Sequence, residues 1–223
     1  MSKLGIIVAM PEEYDALKEV VDGISGDIVL SISGIGKVNA ARAGVEMILG
    51  ERPDFIINSG VAGGMVEGMK PGDIVISDRV AYHDVWCGEE CGIGRLPGFP
   101  RFFHSDGRLI GLAQETLDRM RDRLGVSSYV GLISSGDQFF ISLEEDDRIR
   151  GLYPDVLAAD MESGALAQIC HIYKVPFINC RVLSDIHTSE AVQKATYGDF
   201  MTEINGAKFE FLKEFLSLCT KSL

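Results

Sequence analysis

Three acidic residues stand directly behind apolar runs. Glu13 follows LGIIVAMPE, Glu162 follows VLAADM, and Asp185 follows INCRVLS. Each of them alone fits an ordinary helix cap or first-turn residue, because acids favour helix N-termini. Three at the ends of strands of one sheet would meet at one rim. Carboxylates held in different environments there can bind hydroxyls, activate a water and donate a proton. That chemistry points to an acid–base hydrolase. The stretch around Asp185, PFINCRVLSD at 176–185, carries a second signal. It reads as a buried strand, yet Arg181 lies inside it, and a buried charge is costly without a partner. Arg181 is therefore expected to neutralise one of the site carboxylates.

Two glycine-rich stretches accompany the acids. GVAGG at 60–64 offers bare backbone against which a flat ligand can lie, or simply a tight turn. SGIGKVNAA at 33–41 lacks the third glycine of a dinucleotide fingerprint, since position 39 is Asn, and is a weak signal beyond a turn into a helix. His83, Cys87 and Cys91 give HxxxCxxxC, three ligands without a fourth, so no metal is expected. There is no GxSxG nucleophile motif.

The elements that must position these residues follow from the pattern. Strands are expected over 4–9, 27–33, 54–60, 72–84, 128–137, 156–163 and 178–185. Helices are expected over 11–21, 33–49, 106–123 with Ser105 as cap, to about residue 173, and over 199–220. Residues 85–104 read as irregular and 186–196 as a polar loop. Strand and helix alternate with no linker, repeat or low-complexity segment, which predicts one α/β domain over 1–223 with a mostly parallel sheet. In such folds functional residues gather at the carboxyl ends of the strands.

Composition narrows the class. The 223 residues are 46% apolar, enough for a sizeable core, and the formal charge is −12. An acidic surface repels nucleic acid and anionic lipid, so neither is an expected partner. No apolar run reaches the roughly 18 residues of a transmembrane helix. The N-terminus reads as a first strand and not a signal peptide. Five scattered cysteines suit reduced thiols in a cytoplasm.

The sequence resembles the bacterial 5′-methylthioadenosine/S-adenosylhomocysteine nucleosidases, a hydrolytic branch of the nucleoside phosphorylase-like family. The likeness rests on AMPEE (9–13), SGIGKVNAA (33–41), INSGVAGG (57–64), YHDV (82–85), LPGFP (96–100), SGDQF (135–139), ADMES (159–163) and RVLSD (181–185), in the family's order and over nearly the whole chain. It implies an α/β fold around a twisted, mostly parallel mixed sheet flanked by helices, a homodimer, and hydrolysis of the bond between adenine and a 5′-thio-substituted ribose without cofactor. By the motif match, Asp185 corresponds to the acid that protonates adenine N7, with Ser184 beside it, and Glu13 to the base on the attacking water. Glu162, next to Met161, matches the carboxylate that holds the ribose hydroxyls. Phe139 matches the aromatic that stacks on adenine, and Phe140 the adjacent position whose backbone reads the base. Met10, Ile35, Val61, Ala62, Gly63, Arg181 and Tyr197 fall on other pocket positions.

The chemistry is consistent with those roles. Protonated at N7, adenine departs neutral while the ribose becomes oxocarbenium-like, and general acid catalysis of this kind is typically worth about 10²–10⁴-fold. Burial at the end of an apolar strand suits an acid that must hold its proton. The sequence also departs from the family. Val61 stands where Ser is common, Asp160 where Glu is often found, and WCGEECGIGRLPG (86–98) differs in the loop that in the family crosses the dimer and covers the 5′-substituent. Three rivals remain at this stage: a nucleoside phosphorylase, a hydrolase of another purine nucleoside such as futalosine, and a nucleoside-binding or storage protein. A phosphorylase needs Arg or Lys near the glycine turns, where Glu12 and Glu13 stand instead.

Overall fold

Apolar runs covered on both faces build the centre of the molecule. The computed structural model describes residues 2–139, 142–186 and 210–223. Strand β1 (Lys3–Val8) pairs in parallel with β2 (Asp27–Ile32) and β3 (Phe55–Gly64). Strand β8 (Phe177–Ile186) pairs in parallel with β3, and all ten of its residues are buried. Strands β4 (Ile74–Tyr82), β6 (Ser128–Ser135) and β7 (Val156–Asp160) are successively parallel neighbours, and the short β5 (Phe103–His104) flanks β4 antiparallel. The sheet is thus mixed and mostly parallel, as expected. It also closes on itself, which the strand pattern did not reveal: β8 pairs antiparallel with β4, and β7 antiparallel with the last residues of β3. Strands β3, β8, β4, β6 and β7 therefore form a ring.

Helices cover both faces. Helices α1 (Pro11–Asp22), α3 (Gly107–Leu124) and the C-terminal α6 (Glu210–Ser222) share one core with β1, β3, β4 and β8. Helices α2 (Lys37–Glu46, extended by a π turn over Met47–Glu51) and α5 (Ser163–Tyr173) share the other. Among the described residues no helix is long and apolar enough to cross a membrane.

The structure corrects several boundaries. GVAGG is not a turn after a strand but the end of β3 itself, with a register shift between Ala62 and Gly63. The cap of α3 is Asp106, whose carboxylate accepts from the Arg108 and Leu109 amides, and not Ser105. Ser105 instead points inward, its Oγ 2.7 Å from Ser77 Oγ. Helix α4 (Leu143–Leu152) has no counterpart in the sequence reading. Its residues LEEDDRIRGL carry too few apolar positions for a helical period. Three first-turn acids, favourable at a helix N-terminus, and the Ser142 cap mark its start instead. The expected helix at 199–220 is described from Glu210 onward.

Helix α6 seals the first core. Phe215 is fully buried and stacks on Phe211 with ring centroids 5.6 Å apart. Phe215→Ala should cost about 3–5 kcal/mol through lost burial and the cavity left behind. Urea unfolding should show this as a lower midpoint with little change in slope.

Candidate active site

Glu13 is placed by the start of α1. Met10 is extended (φ −120°, ψ 152°) and Pro11 opens the helix without needing a donor. Two residues on, the Glu13 side chain folds back over this turn. Its Oε2 accepts from the Ala9 and Met10 amides at 2.9 and 3.0 Å, while Oε1 reaches β3 and accepts from the Val61 amide at 2.9 Å. Burial pushes this carboxyl up from its ordinary range, and Arg181 and the three backbone N–H groups oppose that rise. The result is a stronger base fixed in one orientation. The helix-start reading of Glu13 and the chemical one therefore describe the same geometry.

Gly60 makes that geometry possible. Its φ is +144°, and a Cβ there would stand 2.5 Å from Glu13 Oε1 and 2.8 Å from Arg181 Nη1. The bare backbone at this glycine accommodates the site's own carboxylate and guanidinium. At Gly64 the corresponding space is filled by Ile186 and Leu183.

Arg181 lies beneath the cleft and is not part of its wall. It is 2% exposed and donates through Nε to Asp160 Oδ2 at 2.8 Å and through Nη2 to Asn58 Oδ1, and its Nη2 forms an ion pair with Asp160 Oδ2 at 2.7 Å. Its charge acts on Glu13 and Glu162 as well. Asp160 also caps the start of α5, accepting from the Ser163 amide at 3.2 Å and the Ser163 hydroxyl at 2.8 Å.

Glu162 ends the turn after β7, and its Oε1 accepts from the Gly36 amide at 2.8 Å. Burial, then the nearby charge of Asp160, push this carboxyl up to about 7, against Arg181 and the Gly36 amide. Asp185 arrives from the opposite side on β8. At the register shift Gly63 faces Asp185 on one flank and Ala159 on the other, so β3 sets the separation between the two strand ends. Asp185 is buried, and its Oδ1 accepts from Ser184 Oγ at 2.5 Å.

These residues surround one cleft of about 610 Å³, its open mouth included. Met10 and Glu13 come from the first strand end, and Ile35 from the loop before α2. Val61, Ala62 and Gly63 come from β3, Met161 and Glu162 from the β7 end, and Ser184 and Asp185 from β8. Phe139, 55% exposed, and Ile35, 52% exposed, stand at the mouth. Phe140 and Tyr197 lie outside the described residues. Asp160 and Gln138 also line the cleft and were not among the site residues read from sequence. Asp160 carried a usable signal, a carboxylate ending an apolar run, as at Asp185. Among the described residues no group of three His, Cys, Asp or Glu side chains is arranged to hold a metal ion.

A family model, the phosphorylase superfamily, matches residues 3–217. A curated 5′-methylthioadenosine/S-adenosylhomocysteine nucleosidase of Tolumonas auensis is 38% identical over 208 residues, 85% of this chain and 88% of that protein. This chain belongs to that nucleosidase family within the phosphorylase superfamily. Among solved structures, the Neisseria meningitidis nucleosidase in complex with methylthio-immucillin-A superposes with a TM-score of 0.87 at 33% identity, covering 97% of this chain and 99% of that one. The futalosine hydrolase of Helicobacter pylori superposes with a TM-score of 0.86 at 26% identity, covering 96% and 97%. The resemblance read from the sequence motifs is to the same family, and the nucleosidase fold is the expected one.

Glu162 makes the stability of this nucleosidase-family protein depend on pH. A carboxyl raised from 4.5 to about 7 binds its proton more tightly when folded. Its stabilising contribution is full below the unfolded value and is lost as pH rises through the folded one. Glu13 is shifted in the same direction. The ligand-free protein should therefore lose unfolding free energy between pH 4.5 and about 7, and Glu162→Gln should flatten part of that slope. Urea midpoints measured across this range for both proteins test it.

Proposed function

We propose that this protein hydrolyses the N-glycosidic bond of 5′-methylthioadenosine and S-adenosylhomocysteine, releasing adenine and the 5-thio-substituted ribose. The observation that carries this is the convergence of Glu13, Glu162 and Asp185 on one cleft, each held by different partners. Asp185 gives its proton to adenine N7, so the base leaves as a neutral molecule when the ribose C1′–N9 bond breaks. Glu13 takes a proton from the water whose oxygen bonds to C1′. Glu162 accepts hydrogen bonds from the ribose hydroxyls and places negative charge near the developing cation. Phe139 stacks on the base, and Phe140 and Tyr197 belong to the same pocket. The whole chain, 1–223, acts as one domain in the cytoplasm, where its five unpaired cysteines suit a reducing medium.

The rivals are weaker on specific grounds. A phosphorylase would need a cation for phosphate, and among the described residues no Lys or Arg lines the cleft. Arg181 is already bound to Asp160 and Asn58. A futalosine-type hydrolase shares the acid–base chemistry, but the relative named for that substrate is less similar than the methylthioadenosine nucleosidase of Tolumonas auensis. Incubation with methylthioadenosine, with and without phosphate, separates these readings. Adenine and methylthioribose in both cases support the hydrolase; a ribose 1-phosphate product overturns it.

The roles of the two catalytic groups separate by substitution. Asp185→Asn keeps the shape and cannot supply the proton, so kcat should fall by about 10²-fold or more with binding far less affected. Glu13→Gln should abolish hydrolysis while an adenine-containing inhibitor still binds within about tenfold. Near-normal turnover in the first variant, or lost inhibitor binding in the second, contradicts the assignment.

Segment 85–100 serves a homodimer in this reading. Leu96 and Phe99 pack against the protein's own second core, so only part of the segment is unpartnered. Trp86 is 65% exposed and bridges to the exposed Ile93. Val38, on α2, is 80% exposed. An apolar patch of this kind closes most simply by two-fold self-association. Light scattering should give a dimer, and Trp86→Glu should shift it toward monomer.

A further inference from the structure

Outside the cleft, one cluster of charges joins three chain segments, the start of α2, the end of β4 and the segment after β6. Asp84 follows β4 and is mostly shielded from solvent, its side chain 15% exposed. Its Oδ2 accepts from Lys37 Nζ at 2.7 Å and from the Asp137 backbone amide at 2.8 Å. Asp137 in turn accepts the Lys37 backbone amide on Oδ1 at 2.7 Å, and its Oδ2 lies 3.9 Å from Lys37 Nζ. The Lys37 ammonium also sits 5.6 Å from the centre of the Tyr82 ring. Asp84, Lys37 and Asp137 thus form a closed triangle of two carboxylates and one ammonium, tied by two backbone N–H groups.

None of these three side chains lines the cleft, but two of its walls hang from them. The Gly36 amide donates to Glu162 Oε1 and the next amide, that of Lys37, donates to Asp137. Gly36 takes φ +92°, and a Cβ there would meet Asp137 Oδ1 at 3.0 Å, so the two carboxylates are held against one tight turn. On the other side, Asp137 is followed by Gln138 and Phe139, both of which line the cleft. Phe139 is more than half exposed, so core packing alone does not fix it. The peptide amide of Asp137 and its carboxylate anchor the chain two residues before Phe139.

We propose that Asp84 is a positioning residue: through Lys37 and the Asp137 amide it sets the placement of Phe139 and, through the turn at Gly36, of Glu162. The inference rests on the cleft being the nucleoside site. It predicts mainly a binding effect: Phe139 contacts the base and neither group transfers a proton, while Glu162, whose charge also faces the developing cation, keeps its bond to the Gly36 amide and adds only a smaller effect on kcat. Asp84→Asn keeps the shape but leaves the Lys37 ammonium facing a neutral amide. Lys37→Met removes the ammonium and leaves the backbone donor in place. The two act through one contact, so their effects should not add.

The test uses Asp84→Asn, Lys37→Met, the double variant and Lys37→Arg in the full chain. KM and kcat for methylthioadenosine, Kd for adenine, urea midpoints and amide exchange at Gly36, Lys37 and Asp137 are measured for each. The proposal expects KM and the adenine Kd to rise by about tenfold in each single variant, with kcat changed by less than about threefold. It expects the double variant to be no worse than the poorer single one and Lys37→Arg to recover most of the affinity. Amide exchange at the three positions should quicken while the urea midpoint stays near that of the unmodified protein. Unchanged KM and Kd despite faster exchange, or losses that simply track a lower urea midpoint, overturn it. If Asp84→Asn fails to fold, Lys37→Met and Lys37→Arg carry the same comparison. If the unmodified protein neither binds adenine nor cleaves methylthioadenosine, the functional reading fails. Amide exchange then decides the latch itself, and unchanged exchange in Asp84→Asn overturns it.

Discussion

The Arg181 guanidinium lies beneath the cleft, and the arrangement of the carboxylates depends on it. Glu13, Asp160 and Glu162 are all buried within the influence of Arg181. Without a cation between them, like charges at such a rim would repel, and the desolvation of each would go uncompensated. Arg181 satisfies Asp160 directly and acts on the other two across space. The consequence is three carboxylates in different settings: Asp160 is ion-paired, Glu13 is held by three backbone N–H groups, and Glu162 is held by one and pushed up to about 7. Different environments for neighbouring carboxyl groups are what acid–base chemistry requires.

The guanidinium can reach these partners because the sheet closes into a ring. Arg181 is on β8 and Asp160 at the end of β7, and both strands flank β3. Side chains alternate along a strand, so Asn58 and Gly60 share one face of β3. Asn58 bonds the guanidinium, and Gly60 leaves the room that Glu13 and Arg181 fill. The register shift after Ala62 then brings Gly63 level with Asp185. The same irregularity that interrupts the ladder delivers the last carboxylate to the cleft, a common use of a bulge. A rigid strand end is a better platform for a proton donor than a loop.

Much of the architecture was legible in the sequence because burial on both faces leaves an unmistakable mark. LGIIVA, FIINS and INCRVL are continuous apolar runs, and they became β1, β3 and β8. The three acids were legible for the same reason, as polar residues that abruptly end such runs. The motif resemblance added a family and pocket positions such as Phe139 and Ile35, which no periodicity distinguishes from ordinary surface apolar residues. Helix α4 escaped because Ile149 and Leu152, which pack into a core, are too few to show a helical period, and only its cap and first-turn acids mark its start. Asp106 escaped as a cap because Ser105 beside it is an equally good candidate by type.

The amino-acid sequence by itself determined the strand and helix alternation, the acidic surface, the strand-end carboxylates and the membership of the family. Those are local properties, fixed by residue type and spacing. Tertiary structure alone decided the closure of the ring, the engagement of Arg181 with Asp160 and Asn58 beneath the cleft, and the joining of Asp84, Lys37 and Asp137 across about a hundred residues of chain. Each of those depends on which strands become neighbours and in what register. That choice is made by the summed packing of the whole core, and no short stretch of sequence encodes it.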